Sequence, residues 1–155
     1  MKMSSRLERK TQDQSVYEGF GFPVVLVHVP MVRVRGTWTP DVDLNDLSRW
    51  LLAALPEKPA RLTGSEVRFI RHSLAMTLED FARRFDVTHP AVIKWERSGN
   101  QPTSMSWALE KDIRLEVAKV TAPGKPSKFL DTYRELAKIP ARKGERVRIV
   151  ILQPA

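Results

Sequence analysis

Cysteine is missing altogether from the 155 residues. Its absence excludes disulfide frameworks, thiolate zinc sites and cysteine nucleophiles, leaving three histidines as soft metal ligands. His28 and His72 fall in different predicted modules, so no metal site is expected. Long apolar runs are also missing. No stretch approaches the length that crosses a bilayer, and the leading "MKMSSRLERKTQDQS" has no apolar signal region. The chain is therefore expected to be soluble and cytoplasmic with no membrane partner, in keeping with a cysteine-free composition. Glycine is sparse at seven residues, with no Gly-rich phosphate loop, nucleophile elbow or compact catalytic trio. Glu79 and Asp80 are adjacent and diverge on a helix, which does not make an acid/base pair. No enzyme activity and no cofactor are expected.

What is present is apolar content of 42%, enough for a core, and an excess of base. The formal charge is +8 and the pI about 10.1, which favours an anionic partner. The excess is uneven. Residues 1–60 carry 8 basic against 7 acidic side chains, a balance of +1; residues 61–155 carry 18 against 11, a balance of +7. The anion-binding surface is expected in the second part.

Residues 1–15 lack periodicity and read as a flexible tail. In "VVLVHVPMVRVRGTW" β-branched residues dominate, Pro30 divides two runs, and Val32 and Val34 alternate with Arg33 and Arg35 as in a half-buried strand. A small antiparallel sheet is expected. The acidic "DVDLND" resembles the opening of a calcium loop but has Asp46 where that loop needs glycine and Leu52 at its final ligand position. It reads better as the start of a helix near Asp43 that aligns Leu44, Leu47, Leu51, Leu52 and Leu55. "PEKP" ends that helix and reads as a linker. Short helices follow: Thr63 with Glu66 and Thr77 with Asp80 have capping-box spacing, and Thr88 is a third N-cap candidate. A longer helix is expected over residues 104–120, then another in "KFLDTYRELAKI". The closing "ERVRIVIL" reads as a strand whose natural partner is the N-terminal sheet.

The expected class is α+β. It comprises the tail, a β-rich module with one helix at residues 16–60, a helical module at residues 61–120, and a C-terminal extension at residues 121–155.

The informative stretch is "DVTHPAVIKWERSGNQP". A helix at residues 78–85, a turn at 86–88 and a basic helix at 89–97 make the plan of a helix-turn-helix DNA reader. Val92 and Trp95, three apart, face inward and leave Lys94 and Arg97 outside; Pro90 is tolerated in the first turn.

"LTGSEVRFIRHSLAMTLEDFARRFDVTHPAVIKWERSGNQP" resembles the Cro/phage-repressor (XRE) type helix-turn-helix. "ARLTGSEVRFIR" with "VIKWERSGNQP" is similar to the MqsA/HigA-like antitoxins of bacterial toxin-antitoxin systems, a likeness continued loosely by "VHVPMVRV". In one branch of those antitoxins the N-terminal module binds zinc through cysteines; here the resemblance implies a metal-free variant held by apolar packing. It implies base contacts by Thr88, His89, Ala91 and Lys94, phosphate contacts by Arg61, Thr77, Arg97, Ser98 and Asn100, and an ion pair between Arg71 and Glu96. Two positions depart from the pattern: the usual turn glycine is Asp86, and the usual glutamine opening the second helix is Leu78.

The resulting expectation is a DNA-binding transcriptional repressor of antitoxin type. It would act as a homodimer on a palindromic operator, with Met105, Trp107, Leu109 and Ile113 as dimer contacts, and would neutralise a toxin protein. The competing expectation is a free-standing regulator, or a protein-binding adaptor whose DNA binding has decayed.

Overall fold

The computed structural model describes residues 6–122, 126–136 and 146–151. Among them six α-helices and one four-stranded sheet form a mixed α/β architecture. No helix in the described residues is long and apolar enough to cross a membrane.

The sheet is built on a central strand, β2 (Val24–Val34). Strand β1 (Arg9–Tyr17) pairs antiparallel along one edge. On the other edge β4 (Arg148–Val150) runs parallel to residues 25–27 and β3 (Thr37–Pro40) antiparallel to residues 31–34. The sheet is thus mixed rather than purely antiparallel, and the C-terminal strand joins the N-terminal sheet as expected, here within the same chain. Residues 9–15 were expected in a flexible tail but belong to β1. They escape recognition because β1 is an edge strand whose first residues, Arg9 to Thr11, are all exposed, so no apolar alternation marks them.

Pro30 does not divide β2. Its carbonyl accepts from the Asp41 N–H at 2.7 Å, so its missing donor faces the gap between β3 and β4. The real irregularity is His28, with φ of 56°. Val24 and Leu26 point into the core before it and Val29 and Met31 after it, a reversal of alternation that sequence pattern does not show. Val32 is buried, but Val34 is exposed near the turn at Arg35 and Gly36. Both turn residues have positive φ, as a two-residue type I′ hairpin requires.

Helix α1 (Leu44–Ala54) starts where expected: the Asp43 carboxylate accepts from the N–H groups of Asn45 and Asp46 at 2.8 and 3.0 Å. Leu47, Leu51 and Leu55 are buried beneath it, whereas Leu44 is exposed and Leu52 half-buried. Helices α2 (Gly64–Ser73), α3 (Leu78–Arg84), α4 (His89–Glu96) and α5 (Trp107–Thr121) follow, and α6 (Pro126–Leu136) packs on α5. The end of the sixth predicted helix, residues 137–139, lies outside the described residues. The start of α5 falls three residues later than residue 104, because the Ser106 hydroxyl caps it by accepting from the Leu109 N–H.

"PEKP" is not a free linker. Residues 55–57 form a short 3-10 turn, and Pro56, Lys58 and Ala60 are buried against α5. Prolines stop α1 there, but the extended carbonyls are taken up by Arg114, whose side chain is fully buried. Its guanidinium donates to the carbonyls of Pro56, Lys58 and Ala60 and to Glu110 Oε2, the last at 3.0 Å. Glu110 Oε1 accepts from Arg61 Nε at 2.8 Å and from the Leu62 N–H at 3.1 Å. Nearby, Lys58 Nζ lies 2.6 Å from Glu66 Oε1. Burial pushes the Arg114 pKa below its ordinary value while Glu110 opposes the shift; the guanidinium stays charged, as arginine does in proteins.

Two of the four expected dimer contacts, Met105 and Ile113, are not at the surface. Met105 and Ile113 lie in the monomer's own core, which runs from Phe22 to Ile151 without interruption. Leu109 is half-buried against that core, and Trp107 lies beneath the guanidinium groups of Arg61 and Arg114, each 5.5 Å from the ring centroid.

Arg114→Met should lower unfolding free energy by about 3–5 kcal/mol in urea denaturation, since it leaves Glu110 Oε2 and three backbone carbonyls without their donor.

Candidate nucleic-acid interface

Helices α3 and α4 meet across a turn whose chemistry is local. The Thr77 hydroxyl accepts from the Asp80 N–H at 3.1 Å and Asp80 Oδ2 accepts from the Thr77 N–H at 3.2 Å, the expected capping box. The N–H bonds of Asp86 to Arg83 O and of Val87 to Ala82 O then close α3 with a Schellman pair, which needs a left-handed residue at position 86. Asp86 supplies it at φ 54°, aspartate being among the few residues besides glycine that tolerate this conformation. Ala75 does the same after α2 at φ 56°, with Met76 and Ala75 bonding Arg71 O and His72 O.

Helix α4 begins at Thr88, whose hydroxyl accepts from the Ala91 N–H at 3.3 Å. Val92 and Trp95 are buried under it. Lys94 and Arg97 are exposed and Ala91 is half-buried, so the expected division of the helix into a packed and an outward face is present. Arg71 grips Glu96 through two bonds of 2.9 Å, tying α2 to the end of α4. The loop after α4 folds back over α2: Gly64 N–H donates to Gln101 O and Ser65 N–H to Gly99 O, while Thr103 N–H donates to Leu62 O. Gly64 permits this approach, because a Cβ there would overlap the Trp95 carbonyl oxygen and the Ser98 hydroxyl.

Some expected contacts are committed elsewhere. Arg61, expected at a phosphate, is half-buried and has its donors held by Glu110 and by the Met105 carbonyl at 2.7 Å. The Ser98 hydroxyl donates to Trp95 O at 2.6 Å. Thr77 is occupied by its cap, beside the carboxylate of Asp80. His89 turns toward α3: its Nδ1 is 3.6 Å from Glu79 Oε1, too long for a hydrogen bond, and its Nε2 is buried with no partner. Asn100 is exposed. Leu78 is half-buried against the core, so its position supplies packing rather than a polar contact.

The structure adds Arg68, which the sequence reading passed over. It lies one turn before Arg71 with its side chain 66% exposed, 4.0 Å from a Glu96 already taken by Arg71. The three-residue spacing of Arg68 and Arg71 was the available signal. Lys94, Arg97 and Arg68 therefore place outward cations on α4 and α2. Among the described residues, no His, Asp or Glu cluster could hold a metal ion.

Asp86→Gly and Ala75→Gly should each stabilise the protein by about 1 kcal/mol in urea denaturation, by relieving a left-handed Cβ. The Thr77 backbone N–H, and then its hydroxyl, hold the Asp80 carboxyl below its ordinary value. The capping contribution is therefore present above the ordinary carboxylate range and lost as pH falls through the lowered pKa. Carboxyl NMR titration should show Asp80 below its ordinary value, and Thr77→Val should move it back upward.

No protein-family model, curated protein or solved structure matches the chain.

Proposed function

We propose that the protein is a sequence-specific repressor that binds double-stranded DNA through an XRE-type helix-turn-helix formed by α3 and α4, of the kind found in MqsA/HigA-like antitoxins. The observation that carries the reading is the two-faced construction of α4. Val92 and Trp95 fix it on the domain, and Thr88, Ala91 and Lys94 stand along its outward side with Arg97 at its end. Such a helix enters a major groove N-terminus first, so Ala91 would meet a thymine methyl and Lys94 guanine acceptors, while Arg97 and Asn100 would meet phosphates.

One helix of eight residues covers few base pairs. A homodimer on a palindromic site doubles the readout, and with Met105 and Ile113 buried in the monomer it would use other surfaces. By the same resemblance the N-terminal module would bind and neutralise a toxin. The chain of edge-to-face rings through Tyr17, Phe20, Phe69 and Phe22, with centroids 5.4–5.8 Å apart, supports a module held without zinc.

A mobility-shift titration with the DNA upstream of the protein's own gene tests the reading. Lys94→Ala should relax preference at one base position by about 1–3 kcal/mol. Arg97→Ala should weaken all sequences alike and reduce salt dependence. Absence of a specific shift for the wild type at every salt concentration would overturn the proposal.

A further inference from the structure

Between the turn joining β1 to β2 and the flank of α2 lies a cavity of about 250 Å3, lined by Phe20, Gly21, Ser65, Arg68, Phe69 and His72. It is smaller than pockets that take cofactors or drug-sized ligands and suits one compact group. Phe20 and Phe69 meet edge to face at 5.4 Å and wall one side with ring carbon, which lowers the local dielectric. Gly21, at φ 92°, contributes no side chain and leaves its part of the wall open.

The polar groups of this cavity are Ser65, Arg68 and His72. The Ser65 hydroxyl has no hydrogen-bond partner among the described residues. Arg68 keeps its donors, because Glu96 is bound by Arg71 and stands 4.0 Å away. His72 Nε2 lies 3.1 Å from Arg71 Nη2. A guanidinium N–H can only donate, so Nε2 is the acceptor in that contact, and it holds the His72 ring at the cavity wall. Glu18 belongs to the adjoining turn, where its carbonyl accepts from Gly21, but neither it nor any other carboxylate lines the cavity. The Arg68 and Ser65 donors, with no carboxylate in the lining itself, call for a ligand rich in acceptors.

We propose that this cavity seats a phosphate group and that, in the DNA complex, the phosphate belongs to the backbone beside the groove read by α4. The second clause rests on the DNA-binding reading. It is favoured by continuity: Glu96, Arg71 and His72 form one hydrogen-bonded chain from α4 to the cavity, and Arg68 stands between the cavity and Glu96. The β-rich module would then contribute to DNA affinity through the turn that carries Phe20, rather than acting only as a platform for a protein partner.

The test compares wild type, Arg68→Ala and, as a control, Arg49→Ala, whose exposed side chain on α1 pairs with Asp46. Binding to the operator is titrated across salt, and inorganic phosphate is titrated separately while the amide signals of Gly21 and Ser65 are followed by NMR. Arg68→Ala should weaken operator binding about tenfold and reduce the slope of log K against log salt by about 1, with Arg49→Ala unchanged. Equal affinity and slope for wild type and Arg68→Ala would overturn the backbone assignment. Saturable phosphate shifts lost in Arg68→Ala would then identify a free phosphate compound as the ligand, and no shifts would remove the pocket altogether. If the wild type binds no DNA, the repressor reading falls, and the phosphate titration alone decides the cavity by the same two outcomes.

Discussion

A buried guanidinium holds the two halves of this chain in one piece. Arg114 reaches from α5 into the segment after α1 and satisfies three carbonyls that neither helix nor strand can use. Prolines at 56 and 59 remove two of that segment's own donors, so beyond the Lys58 N–H bond to the Leu55 carbonyl its carbonyls need an external donor or water. Arginine is suited to the task because its planar fork serves several acceptors while staying charged. The charge in turn demands Glu110, and Glu110 draws in Arg61 and the Leu62 N–H, which set the approach to α2. The position of α2 relative to the sheet follows from this chain of requirements. So does the cavity between them.

The helical part repeats one device three times: a threonine opens each of α2, α3 and α4. The caps and left-handed turns are local, so the α3–α4 corner is specified within about a dozen residues. Its long-range anchors include the Arg71–Glu96 pair, the close contact at Gly64, Val92 with Trp95, the buried Phe81 and Phe85, and the Arg84–Glu116 pair to α5. These hold the inner side of α4, and on its outer side Thr88 serves as the cap while Lys94 and Arg97 are left exposed. Arg61, by contrast, spends its donors inside the domain, on Glu110 and the Met105 carbonyl.

Legibility in the sequence followed this local–distant divide. The three caps, the Asp86 turn, the inward pair on α4 and the Arg71–Glu96 bond depend on short spacings or on a recognisable pattern, and they stand where expected. What could not be read depended on partners far away in sequence. Strand β1 is too polar to show alternation, and the reversal at His28 hides in a run of valines. The fates of Met105, Ile113 and Arg61 turn on packing against residues about 50 positions distant, which periodicity does not encode. Arg68 and His72 each look like ordinary exposed helix residues until the Phe20 turn is placed beside them.

Strand β4 has a further consequence for how the molecule comes into being. Residues 25–27 emerge early during synthesis, yet their parallel neighbours, residues 148–150, emerge more than a hundred residues later. Until then one edge of β2 offers unpaired amide and carbonyl groups beside Val25, Leu26 and Val27. Such an edge is open to another nascent chain. The sheet is thus sealed last by the pairing with the greatest loop to close, and parallel pairing across such distance is intrinsically slow. The helical corner carrying α3 and α4, built from near neighbours, has no such wait, so the part of the chain proposed to meet DNA takes shape before the sheet that precedes it is complete.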